Sequence, residues 1–180
     1  MSQTPSPDQK TKEAKEAYVR GDYAIAAQLF EESSHDYATA GDKLSAAEML
    51  NNCGVALLRI GNGKSALQVI EGTPATFAAV GDIRRQGLAL GNLGDALESV
   101  GRKQDAIQAF EQSADLLERA GEDEMRAHVL QSLSKLQLKS GRQIEALATM
   151  EAGIEGFKKP TLKQRFLKKL LRIPFKLMGS

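Results

Sequence analysis

Residues 90–110 read LGNLGDALESVGRKQDAIQAF. Leu90, Leu93 and Leu97 are spaced by three and four, which places them on one face of a helix. Gly101 follows that run, and a second apolar run with Ala106 and Phe110 begins after it. A glycine just past a last helical turn adopts the left-handed conformation without steric cost. The stretch therefore reads as two helices joined by a tight turn.

The same punctuation extends outward. Glycines stand at Gly21, Gly41, Gly61, Gly81, Gly101, Gly121 and Gly141, one every 20 residues. This predicts helices of about 16–18 residues. The helices alternate in type, so the true period is 40 residues. One phase carries Ala26, Ala66, Ala106 and Ala146, followed four residues later by Phe30, Ile70, Phe110 and Met150. The other carries Leu50, Leu90 and Leu130, then Cys53, Leu93 and Leu133. Small alanines let neighbouring helices approach, and the larger residues fill the space between them. Gly72-Thr73-Pro74 interrupts one helix of the second type. Proline removes a donor and clashes with the preceding turn, so the run predicts a broken helix, with a kink as the other reading. In the broken form Thr73 caps a new short helix and Pro74 takes its first position.

Two segments, Asn52-Cys53-Gly54-Val55-Ala56-Leu57 with Gly61 and Ala66, and Asn92-Leu93-Gly94-Asp95-Ala96-Leu97 with Gly101, Ala106 and Phe110, resemble tetratricopeptide (TPR) units. The 40-residue period and Leu90-Gly91-Asn92-Leu93-Gly94 are similar to the longer-repeat subclass found in cell-polarity and motor-cargo adaptors. The resemblance covers residues 9–158. It implies an all-α solenoid of four TPR helix hairpins, at about 9–40, 41–80, 81–120 and 121–158. Residues 1–8 are expected to be a disordered tail, and 159–180 a basic amphipathic helix. The pattern departs at Glu13-Ala14 and at Leu133-Ser134, where Leu-Gly is expected.

In that family the first helix of each pair lines a concave face. The resemblance therefore places Glu48, Asn51, Asn52, Val55 and Arg59 there in repeat two, and Leu88, Asn92, Asp95 and Glu98 in repeat three. In repeat four it places His128, Gln131, Ser132, Lys135 and Lys139. Asn52 and Asn92 are 40 residues apart, and asparagine at this position in similar proteins hydrogen-bonds the backbone of an extended peptide. An amide offers both a donor and an acceptor, matching a peptide unit. The alternative is that both satisfy nearby helix and turn groups. A clamp for carboxylate tails needs basic residues where Leu88 and Asn92 stand, so the resemblance does not extend to it. The expected groove is acidic in repeat three and basic in repeat four, unless these charges are simply solvated helix surface.

Of 180 residues, 42% are hydrophobic and none is tryptophan, which suits close-packed helices. Net charge is only +1, but it is unevenly placed. All acidic residues lie at or before Glu155, and eight of the 24 basic residues lie from Lys158 onward. The first 157 residues carry −7 and the last 23 carry +8, the mark of an appended segment with its own task. That segment reads KKPTLKQRFLKKLLRIPFKLMGS. Thr161 can cap a helix running to about Ile173, and Pro174 should end or kink it. Phe166, Leu167, Leu170 and Ile173, with Leu162 and Leu177, gather on one side; Lys168, Lys169, Arg172 and Lys176 lie opposite, and Phe175 follows the break. Such a helix suits an anionic membrane surface or a membrane protein complex. The alternatives are that it caps the solenoid, docks on a partner or self-associates. Nucleic acid is disfavoured, because the tail is too apolar and the body too acidic.

Nothing points to chemistry. His35 and His128 sit on different repeats without partners at metal-ligand spacing, so neither metal nor cofactor is expected. Gly61-Asn62-Gly63-Lys64-Ser65 lacks the glycine spacing and preceding strand of a phosphate loop. Cys53, the sole cysteine, falls on an apolar helix face as a structural thiol. The polar N-terminus does not read as a secretory signal, and no run reaches the roughly 20 apolar residues of a membrane span. The sequence thus predicts a non-enzymatic cytoplasmic adaptor or assembly factor. It would hold a peptide or helix in its groove and reach a membrane peripherally through its C-terminal segment. The alternative is a structural or self-assembling subunit in which that segment only caps or docks.

Overall fold

The computed structural model describes residues 6–155, so the expected amphipathic helix at 159–180 lies outside the described residues. The described residues form α1 (Pro7–Arg20), α2 (Tyr23–Thr39), α3 (Lys43–Arg59), α4 (Gly63–Ile70), α5 (Thr73–Ala78), α6 (Ile83–Ser99), α7 (Lys103–Arg119), α8 (Asp123–Lys139) and α9 (Gln143–Glu155). No strand occurs among them. Consecutive helices pack as hairpins, α1 with α2, α3 with α4 and α5, α6 with α7, and α8 with α9. The first helices of successive repeats also touch, α3 with α6 and α6 with α8. The fold is the expected solenoid of four hairpins.

One turn, used at every punctuating glycine, sets the spacing. All seven of these glycines have φ between 70° and 88°. At Gly101 the glycine N–H donates to the Glu98 carbonyl at 3.0 Å and the Arg102 N–H donates to the Leu97 carbonyl at 2.9 Å. This pair of bonds satisfies carbonyls that the helix end leaves open. The residue after each glycine starts the next helix. Asp42, Asn62 and Asp82 accept the N–H of Ser45, Ser65 and Arg85 as N-caps. With the same turn after both helix types, five of the helices have 17 residues.

Three details differ from expectation. First, α1 begins at Pro7, inside the expected tail, because Ser6 caps it by accepting the Gln9 N–H at 3.3 Å and Pro7 opens the helix without a wasted donor. Second, α1 and the described α9 are shorter than predicted, at 14 and 13 residues. Third, the break in repeat two is real, but Gly72 is its N-cap and Thr73 lies within α5, with its buried hydroxyl unbonded. Pro74 cannot donate to the Ile70 carbonyl, so α4 stops there. The restart seats Phe77 fully in the core beside Ala47 and Ala89.

The core follows the repeat. Ala26, Ala66, Ala106 and Ala146 are completely buried, one in each hairpin. Opposite them a second register is set by size. Methyl groups built at Gly54 and Gly94 would lie 2.3 Å from the Ile70 side chain and 2.6 Å from the Phe110 ring. Burying a side chain such as Phe110 contributes roughly 1.5–3 kcal/mol, and the glycine permits the approach. Adding a methyl to a filled site costs typically about 1–3 kcal/mol, against about 1 kcal/mol of helix propensity recovered. Gly94→Ala should therefore lower unfolding stability by about 1 kcal/mol net. Gly72→Ala, with open space around it, should not. Urea denaturation of the two variants checks this; equal midpoints would show that Phe110 yields freely.

Candidate functional site

Every residue assigned to the concave face lies on α3, α6 or α8, the first helices of repeats two to four, which touch in sequence order. Along each, a residue rises about 1.5 Å, so Leu88 and Glu98 are roughly 15 Å apart on α6. The expected site thus divides into a middle and two ends.

The ends of α3, α6 and α8 nearest their C-termini come together electrostatically. Lys139 Nζ meets Glu98 Oε1 at 2.7 Å, across 41 residues of sequence. Arg59 and Lys135 both act on the Asp95 carboxylate through space. Asp95 stays open to water on one side, yet the surrounding helices strip part of its hydration. That loss raises its pKa to about 6, the Glu98 charge adds to the rise, and Arg59 and Lys135 oppose it. Asp95 is therefore charged above about pH 6 and incompletely compensated. The Lys139–Glu98 pair is largely exposed, where such pairs contribute roughly 0.2–1 kcal/mol. An incoming charge can displace it at little cost.

The middle holds Asn52, Val55 and Asn92, all half-buried. Among the described residues neither the Asn52 nor the Asn92 amide is committed to a hydrogen bond within the fold. Asn52 and Val55 line a cavity of about 290 Å³ with Lys15, Tyr18, Val19 and Phe30. Arg59 Nε donates to Tyr18 Oη at 3.2 Å and so fixes one wall. Tyr18 in turn packs edge-on against Tyr23, ring centres 5.1 Å apart. Lys15 and Val19 also border a second hollow along α1, together with Lys12.

The third region, near the helix N-termini, is already engaged. Glu48 Oε2 lies 3.5 Å from Arg85 Nη1. Arg85 also bonds Asp82 at 2.7 Å and sits 5.5 Å above the Phe77 ring. Glu48 therefore takes part in a contact between repeats, and Leu88 is half-buried. Asn51 is half-buried with its Oδ1 out of reach of any partner among the described residues. His128, Gln131 and Lys135 are exposed on α8, and Ser132 is half-buried.

Tyr18, Val19 and Phe30 were not among the expected site residues. The signal was present: Lys15 and Val19 stand 40 residues before Val55 and Arg59. The degraded first repeat hid it. Thr11, at a position used by the carboxylate clamp, faces inward instead, its Oγ1 2.6 Å from Ser33 Oγ. Cys53 is buried, and burial pushes its thiol up to about 12, away from nucleophile chemistry near neutrality. No group of metal-ligating side chains occurs among the described residues, and no helix among them is long and apolar enough to cross a membrane.

A carboxyl-detected NMR titration should give Asp95 a midpoint of about 6. Glu98→Gln should lower it by removing a like charge, and Lys135→Met should raise it by removing a cation. A midpoint of about 4 in the unaltered chain would mean that the groove is as wet as open surface.

Residues 85–159 match the family model described as tetratricopeptide repeat. No curated protein matches the chain. Among solved structures, the chain is similar to nearly identical TPR-like repeats of a putative kinesin light chain from Podosopora anserina. Identity is 16%, the TM-score is 0.55, and the match covers 98% of this chain and 100% of that one. A variant of the same protein matches equally, at 16% identity and TM-score 0.55, over 99% and 100%. At such identity the likeness concerns the fold. Glycine punctuation, hairpin order and the family match lead to one conclusion: residues 85–159 are tetratricopeptide repeats, and the described helices before them continue the same hairpin pattern.

Proposed function

We propose that this chain is a non-catalytic adaptor that holds a partner polypeptide along its inner layer. The observation carrying the reading is the pair Asn52 and Asn92, 40 residues apart on neighbouring inner helices, half-buried and without a bond inside the described fold. Neither amide is among the buried unsatisfied groups of the described residues, so both are open to a ligand, and a peptide backbone would use both the donor and the acceptor. The cavity beside Asn52 takes an apolar side chain of the partner. Asp95 favours a cationic side chain, because a cation would relieve the penalty on its charged form. Lys135 and Lys139 favour an acidic one.

The basic segment 158–180 adds a second contact, with an anionic membrane surface or membrane complex. Its support is the charge division, −7 in the body and +8 in the last 23 residues, combined with an apolar arc of Phe166, Leu170 and Ile173. Each basic residue near an anionic surface contributes about 1 kcal/mol, and the buried apolar side chains add to this.

Two measurements test these contacts separately. A partner purified on the full chain should bind Asn52→Ala/Asn92→Ala at least about tenfold more weakly, a loss of about 1.4 kcal/mol, with helicity unchanged by circular dichroism. Unchanged affinity would remove the groove assignment. The full chain should co-sediment with anionic vesicles, less so in high salt, while a chain ending at Phe157 stays in solution. Equal behaviour of the two would leave the segment no membrane role.

A further inference from the structure

The last helix of the described array exposes Leu147, at a position that α2 and α7 bury with Ala27 and Ile107. Leu147 on α9 is 37% exposed, whereas Ile107, 40 residues earlier on α7, is 2% exposed. Ile144, three residues before Leu147, is 78% exposed, at a position where the earlier repeats carry the exposed Lys64 and Gln104. The difference at Leu147 arises from the neighbouring repeat. Each second helix of the earlier hairpins is covered by the first helix of the next repeat, through a residue 26 positions further on. Ala27 shares a cluster with Cys53, Leu67 with Leu93, and Ile107 with Leu133. The same step from Leu147 reaches Ile173, and Leu130, which also packs with Ile107, has Leu170 as its 40-residue counterpart.

We propose that residues 162–173 dock on α9 as the inner helix of a fifth, incomplete repeat, with Leu170 and Ile173 over Leu147. Charge favours the pairing. Helix α9 carries Glu145, Glu151 and Glu155 and no basic residue, while the chain from Lys158 onward has eight basic residues and no acidic one. The chain is long enough: a helix in the fifth register spans 163–179, within its 180 residues. The link differs from the others, with Thr161 in place of the turn glycine and with Gly156 and Pro160 before it. Pro174 occupies the position of Ser134, so the helical part stops near Ile173.

Docking has a regulatory consequence, which rests on the membrane reading above. Leu170 and Ile173 belong to the arc that would enter lipid, so the docked and lipid-bound states exclude each other. The segment is then a releasable cap, and the membrane competes with α9 for one surface.

Amide hydrogen exchange on the full chain, without lipid, decides the docking. Leu170→Asp/Ile173→Asp should speed exchange across Gln143–Glu155 by about tenfold while leaving α3 and α6 unchanged. Unchanged exchange in α9 overturns the proposal. So does protection of α9 that grows with protein concentration alongside a doubled mass in light scattering, which would make a second copy the occupant. Leu147→Asp approaches from the other side. It should speed exchange in 162–173 and tighten binding to anionic vesicles several-fold, since the competing site is lost. Vesicle binding that stays the same or weakens overturns the competition. If the unaltered chain and Leu147→Asp both ignore vesicles, the membrane reading fails, and the exchange result alone decides the docking.

Discussion

The approach of paired helices at Gly54 and Gly94 is the constraint on which the rest of the architecture depends. At these positions the absence of a side chain admits Ile70 and Phe110 to the helix surface. That closeness fixes the spacing within a hairpin, and the hairpin spacing fixes which faces remain for the neighbouring repeat. In the fourth repeat the buried Ser134 stands at this position, and in the first the buried Ala14. Packing density leaves little room for other solutions, because interiors are filled like organic crystals.

Regular stacking has a consequence for the inner layer. Side chains on α3, α6 and α8 that are 36 to 41 residues apart in sequence become neighbours, as Arg59 is to Asp95, Asp95 to Lys135, and Glu98 to Lys139. These charges are poorly solvated on one side and weakly paired on the other. Such a surface is suited to exchanging its internal partners for those of a ligand. The Glu48–Arg85–Phe77 contact behaves differently, since Arg85 is already shared among a carboxylate pair and an aromatic ring. The weakly paired charges therefore concentrate toward the C-terminal ends of α3, α6 and α8.

The break between α4 and α5 shows how a local rule becomes a tertiary one. Proline ends α4 because Ile70 would otherwise lack a donor for its carbonyl. The restarted helix brings Phe77 into a junction that an unbroken helix of the other repeats fills differently. Gly72 rather than Thr73 took the cap position, and Thr73 was drawn into the core with its hydroxyl unbonded. Composition favoured the threonine as a cap; the need to seat Phe77 overrode it.

What the sequence determined by itself was the order, type and faces of the helices. Glycine after a last turn, alanine at the close contact and leucine at three-four spacing act over a few residues, so they are readable without coordinates. What only the tertiary structure decided was which side chains meet. Tyr18 beside Arg59 and Lys139 beside Glu98 are pairs separated by a full repeat. Their contact depends on how one hairpin is rotated on the next, a geometry set by the summed packing of many buried side chains and written in no single stretch of chain.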